Sequence, residues 1–113
     1  MTRTRLDRVR ASAGIAKLAL QQIEDDLTTD DIGAQELAQI LPELHHEDHR
    51  QDGVLGSLAQ LLTAAAQAAG RIEPDHDGEM SCPLHEAAAL ITENAGLQTH
   101  YATRALDPQG EAE

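Results

Sequence analysis

The sequence predicts an all-α fold, an antiparallel up-down bundle of four helices, with a short extra helix after Pro42 where that proline interrupts the pattern. Three observations lead there. Alanine and leucine dominate the apolar residues and β-branched residues are few, which favours helix over strand. Apolar positions recur at spacings of three and four through the long segments. The breaks between those segments are short, and short connections favour antiparallel neighbours.

The first segment is the most regular. Leu6, Val9, Ala13, Ala16, Leu20, Ile23 and Leu27 form a seven-residue repeat, the pattern of an amphipathic helix. A second stripe, Ala11, Ile15 and Leu18, is a rival docking surface on the same helix. Glu24, Asp25 and Asp26 end it, and Thr28-Thr29-Asp30-Asp31 offers N-caps to the next. The second helix carries Leu37, Ile40, Leu41 and Leu44, with Pro42 inside the pattern. Gln51-Asp52-Gly53 breaks the chain before a third helix from Val54 to Ile72. Its wide apolar face holds Val54, Leu55, Leu58, Leu61, Leu62, Ala65, Ala68, Ala69 and Ile72. No charge occurs from Val54 through Gly70, so cover on more than one side is expected.

The stretch from Glu73 to Glu79 reads as a loop. The fourth helix begins near Ser81-Cys82-Pro83, with core positions Leu84, Ala87, Ala88, Ile91, Ala95, Ala102 and Ala105, and Leu90 and Leu97 flanking them. Asp107-Pro108 stops it. Residues 1–106 therefore read as one helical-bundle domain and 107–113 as a frayed acidic tail. Leu20, Ile23, Leu37, Ile40, Leu58, Leu61, Leu62 and Ile91 are the expected core. With no Phe or Trp and one Tyr, that core is thin, which favours oligomerisation.

Formal net charge is −12 and unevenly spread. Five basic residues against Asp7 give the first 17 residues +4, so the remainder carries −16. Such a body repels nucleic acid and anionic membrane, so direct binding to either is not expected. It suits a basic protein surface, and an acidic mimic that occupies a DNA-binding protein is one alternative function. A single cysteine, Cys82, permits no internal disulfide and points to a reducing, cytoplasmic setting. No apolar run reaches membrane-spanning length.

The His45-His46-Glu47-Asp48-His49 cluster is the most conspicuous chemistry. His45 and His49 are four apart, so on a helix they share a face and form a candidate metal pair; a small metal-binding protein is the other alternative. A third ligand is missing, because the pattern of the fourth helix turns His100 outward. Glu43-x-x-His46 and Glu73-x-x-His76 have the spacing of di-iron bundles, but one lies at a helix end and the other crosses Pro74. Glu73-x-Asp75-x-Asp77-Gly78 resembles half of a calcium loop, whose twelfth position here is Leu84 where a glutamate is required. Cys82 at a helix start with His85 one turn on has two features that lower a thiol pKa, but no base or pocket accompanies them. No metal, cofactor or catalytic residue is expected.

The reading is a non-enzymatic protein–protein interaction domain, an adaptor or regulatory subunit that binds an unidentified protein and forms a homodimer. The expected interface lies on the third and fourth helices: Leu55, Ala66, Gln67, Gly70, Leu90, Leu97 and Tyr101.

Overall fold

A computed structural model of the 113-residue chain describes residues 4–28, 31–73 and 78–107. Every regular element among them is helical and none is a strand. Five α-helices follow in order: α1 (Arg5–Leu27), α2 (Ala34–Leu44), α3 (Val54–Ile72), α4 (Ser81–Leu90) and α5 (Leu97–Leu106). A 3₁₀ turn, Glu47–His49, lies between α2 and α3, and a π-helical segment, Ile91–Gly96, joins α4 to α5. No described helix is long and apolar enough to cross a membrane. The chain divides into two compact units at Ile32–Gly33.

The first unit holds α1. Its start is fixed by a reciprocal capping box: the Asp7 N–H donates to Thr4 Oγ1 at 3.0 Å and the Thr4 N–H donates to Asp7 Oδ2 at 3.4 Å. Asp7 also sits favourably at the positive end of the helix, among arginines that do not. None of the 23 residues is buried. Leu20 is exposed and Ile23 only half-buried, so neither lies in the core expected of them. Among the described residues the unit has no other helix or strand to cover them.

In the second unit α3 packs along α4, and α2 packs along α5. Because α4, the π segment and α5 run on as one continuous helical stretch, α2 and α3 are two pieces laid end to end beside it. Gly33, with no side-chain hydrogen bond, caps α2; the Thr-Asp cap expected just before it is not used, and Thr29 and Asp30 lie outside the described residues. Pro42 falls inside α2, where it removes the N–H that would bond Ala38. The helix ends two residues later, and the short helix expected after Pro42 is reduced to the 3₁₀ turn.

The seam of α3 differs from the one its hydrophobicity suggests. Gly56, Ala59 and Ala66 are buried, with Thr63 and Gly70 half-buried on the same spacing of three and four. This stripe of small side chains faces inward, where it lets the neighbouring backbone come close. The larger residues are turned away: Leu58 is exposed, Leu61 is 63% exposed and Ile72 71%. Leu58 and Leu61 are thus outside the core expected to contain them, while Leu37, Ile40, Leu62 and Ile91 are half-buried.

The fourth helix shows a second correction with one cause. Ala88 is buried and Leu84, Ala87 and Ile91 half-buried, as their spacing implies. From the end of the π segment onward, Ala95, Ala102 and Ala105 are exposed, and Gly96, Thr103 and Leu106 take the inner positions. Each is one residue later. A π turn accommodates one residue more than an α turn, so the face of the helix slips by one.

Gly56 tests how closely the turn before α3 folds back onto the helix. A Cβ there would collide with the backbone carbonyl of Arg50, whereas one at Gly70 would meet only Ser81 Cβ at 3.9 Å. Gly56→Ala is expected to lower stability by about 1–3 kcal/mol, as overpacking does. Gly70→Ala has room and gains helix propensity. Urea unfolding of both variants checks the contrast; equal stability of the two would refute this packing.

Candidate functional site

The residues with chemistry converge on the break between α2 and α3. His45 caps the end of α2 with an extended backbone, and its N–H donates to the Leu41 carbonyl at 3.1 Å. Its side chain is the largest fully buried one in the described chain. Nε2 lies 2.8 Å from Glu47 Oε2. An ionised carboxylate only accepts, so Nε2 carries the proton and donates it. Among the described residues Nδ1 has no hydrogen-bond partner, and it lies against Gly96 in the π segment. A Cβ at Gly96 would run into the imidazole, so glycine at this position is a condition of the fit.

Glu47 is held from both sides. Its second oxygen accepts from Arg50 Nε at 3.1 Å and pairs with the Arg50 Nη2 group one turn along. The hydrogen bonds from His45, then Arg50, outweigh the effect of burial and hold the Glu47 carboxyl at about 2 against an ordinary 4.5. His45, Glu47 and Arg50 thus form a chain of charge-assisted hydrogen bonds across the break.

A second buried carboxylate closes the other end of α3. Glu73 accepts the N–H groups of Gly78 and Met80 at 2.9 Å and of Ser81 at 2.6 Å, capping the start of α4. Burial alone would raise its pKa; the N–H donors from Ser81, Gly78 and Met80 prevail and hold it below the ordinary carboxylate value.

An open groove of about 540 Å³ adjoins the break, lined by Arg50, Gln51, Gln60, Thr63, Gln67 and Thr92 over a floor that includes Gly56, Ala59 and Ala64. Its walls are amides, hydroxyls and one guanidinium.

The residues singled out in the sequence fall in different places. His45 and His49 do not share a helical face, because α2 ends at Leu44 and His49 belongs to the 3₁₀ turn. His49 stacks instead near His46, with ring centroids 5.2 Å apart. His100 is half-buried on α5, in the shifted part of the helix, and its ring centroid is 6.2 Å from that of Tyr101. No three His, Cys, Asp or Glu side chains among the described residues gather as a metal group would. The calcium-like and second Glu-x-x-His motifs depend on residues 74–77, which lie outside the described residues, as do 108–113 of the acidic tail. Cys82 is a free, exposed thiol in the first turn of α4.

Of the expected interface residues, Leu90 and Tyr101 are 58% and 54% exposed, and Gln67 is exposed on the wall of the groove. Leu55 and Leu97 are half-buried. Ala66 is completely buried and Gly70 lies beside Ser81, both on the inward seam of α3, because the small side of that helix and not the leucine side packs. The sequence reading names Glu47 and Glu73 only within metal-like motifs, missing their structural roles, and it does not mark Arg50 or Gly96. A glutamate followed by a run of glycine and turn residues before a helix signals a possible capping role; nothing in the pattern marks Gly96, whose role depends on a residue 51 positions away. Comparison with family models, with curated proteins and with solved structures finds no match.

Two measurements test this site. Glu47 and Glu73 bind a proton less tightly folded than unfolded, so the stability they contribute is complete above the ordinary carboxylate value. The Glu47 part is lost as pH falls from about 4.5 towards about 2, and the Glu73 part as pH falls below the ordinary carboxylate value. Glu47→Gln is expected to be less stable than wild type at neutral pH, and the gap in melting temperature closes across that window; a gap constant down to acid pH would contradict the network. The second measurement is a double-mutant cycle. Gly96→Ala alone is expected to cost about 1–3 kcal/mol, and much less in a His45→Ala background where the ring is gone. Additive effects would disprove the contact.

Proposed function

We propose that this protein is a non-enzymatic helical interaction domain, an adaptor or regulatory subunit that binds another protein and associates with itself. One observation carries the reading: large apolar side chains stand outside both units while small ones fill the seams. α1 exposes Leu6, Val9, Ile15, Leu18 and Leu20, and the second unit exposes Leu58, Leu61, Ile72, Leu90 and Tyr101. Apolar faces without charge are what interface cores are made of. Leu90, Tyr101 and the uncharged outer side of α3 form the surface offered to a protein partner.

The titratable residues support the non-enzymatic part. His45, Glu47 and Arg50 are occupied with one another at the helix break, and Glu73 with the start of α4. These are structural duties of His45 Nε2, Glu47, Arg50 and Glu73.

Light scattering and sedimentation equilibrium of the full chain test the proposal. A mass of at least two chains at micromolar concentration is expected, falling on dilution. The mass of one chain at every concentration would overturn self-association. Leu90→Glu is expected to leave helix content unchanged, since the side chain is exposed, and to abolish capture of a protein partner.

A further inference from the structure

We propose that α1 is the self-association element and pairs with α1 of a second copy as an antiparallel two-stranded coiled coil. The proposal rests on the self-association reading and names the surface and the orientation.

The repeat of α1 is strict. Leu6, Ala13, Leu20 and Leu27 recur every seven residues, as do Val9, Ala16 and Ile23 between them. This is the a and d pattern of a coiled coil, narrower than the broad apolar face of a helix that packs into a globular core. The helix holds it over 23 residues, about 35 Å at 1.5 Å per residue, and buries none of them. A helix of this length with Gly14 inside it and an exposed apolar stripe is marginal alone in water. A second copy supplies the cover.

Charge selects the orientation. Arg5, Arg8 and Arg10 lie in the first turns of the helix with Asp7 alone opposing them, Lys17 lies at its middle, and Glu24, Asp25 and Asp26 lie at its end. Parallel pairing sets the basic ends together and the acidic ends together, with Arg10 opposite the partner's Arg5. Antiparallel pairing sets each basic end against an acidic one.

Packing then selects the alignment. When Arg10 faces the partner's Glu24, Val9 lies with the partner's Leu27, Ala13 with the partner's Ile23 and Ala16 with the partner's Leu20. The two-fold axis repeats these three layers, giving six. Every alanine then meets a large side chain, whereas parallel pairing stacks Ala13 and Ala16 on themselves and leaves two adjacent thin layers. Lys17 meets the partner's Lys17 at the axis, the single unfavourable pair of this alignment.

The test uses the full chain. In sedimentation velocity, Leu20→Glu is expected to abolish the dimer at micromolar concentration, with circular dichroism confirming that the second unit remains helical. Arg10→Glu is expected to weaken the dimer several-fold, and Arg10→Glu with Glu24→Arg to restore it. Orientation is read by disulfides in a Cys82→Ser background: chains with Ala13→Cys and chains with Ile23→Cys, mixed and oxidised, are expected to cross-link to each other. Strengthening of the dimer by Arg10→Glu, or self-cross-linking of the Ala13→Cys chains, would overturn the antiparallel pairing. A dimer that survives Leu20→Glu would overturn the role of α1 and leave the interaction-domain reading standing. A wild-type chain that is monomeric throughout would remove that reading itself.

Discussion

At the level of residue 45 two irregularities face each other. On one side the α2–α3 rod is broken, its hydrogen-bond ladder ended two residues after Pro42. On the other the long helix opposite widens into a π segment. His45 fills the space between them, with Nδ1 against Gly96 and Nε2 bound to Glu47. Neither irregularity is stable on its own: a broken helix leaves backbone groups unpaired, and a π turn has poorer hydrogen-bond geometry than an α turn. Each becomes tolerable because the other accommodates it. The remaining contacts of the second unit follow, since this point sets which half of the long helix meets α2 and which meets α3.

The orphaned Nδ1 shows what this arrangement costs. A buried polar atom without a partner is worth about 1–3 kcal/mol of destabilisation. The apolar core has little with which to offset it: among the described residues the buried apolar side chains are Ala38, Ala59, Ala66 and Ala88, and each removes little surface from water. The stability of the unit therefore leans on hydrogen-bonded carboxylates. Glu47 ties the break together and Glu73 ties α3 to α4, at the two ends of the same helix.

These facts separate what periodicity reveals from what it does not. Helix positions were legible, since α1 ends at Leu27 and α3 spans Val54 to Ile72 as the patterns imply. The π slip was not, because a pattern extrapolated at a constant 3.6 residues per turn carries Ala95, Ala102 and Ala105 inward when Gly96, Thr103 and Leu106 belong there. The face of α3 misled for a different reason. Hydrophobicity weighs each residue alone, and by that measure Leu58 and Leu61 outrank Gly56 and Ala59. Close approach of two backbones depends on what is absent from the side chain, so Gly56, Ala59 and Ala66 make the seam. At the site, the histidine cluster drew notice through metal-ligand spacing, but that spacing has meaning only on a continuous helix, and Pro42 had already ended it.

A seam built from small residues has a consequence beyond the fold. The large apolar side chains that would ordinarily fill a core are left over on the outside, on the leucine side of α3 and along the whole of α1. Leucine on an exposed surface is common and explains nothing by itself. Leucine, isoleucine and valine at five of seven successive positions of a seven-residue repeat, on a helix whose arginines lie in its first turns and whose acidic residues other than Asp7 lie at its end, is a pattern that solvent exposure does not require. Solubility alone would be served as well by charges of both signs mixed along its length. Sorting them makes the helix complementary to its own reverse, and that is the property an antiparallel pair uses.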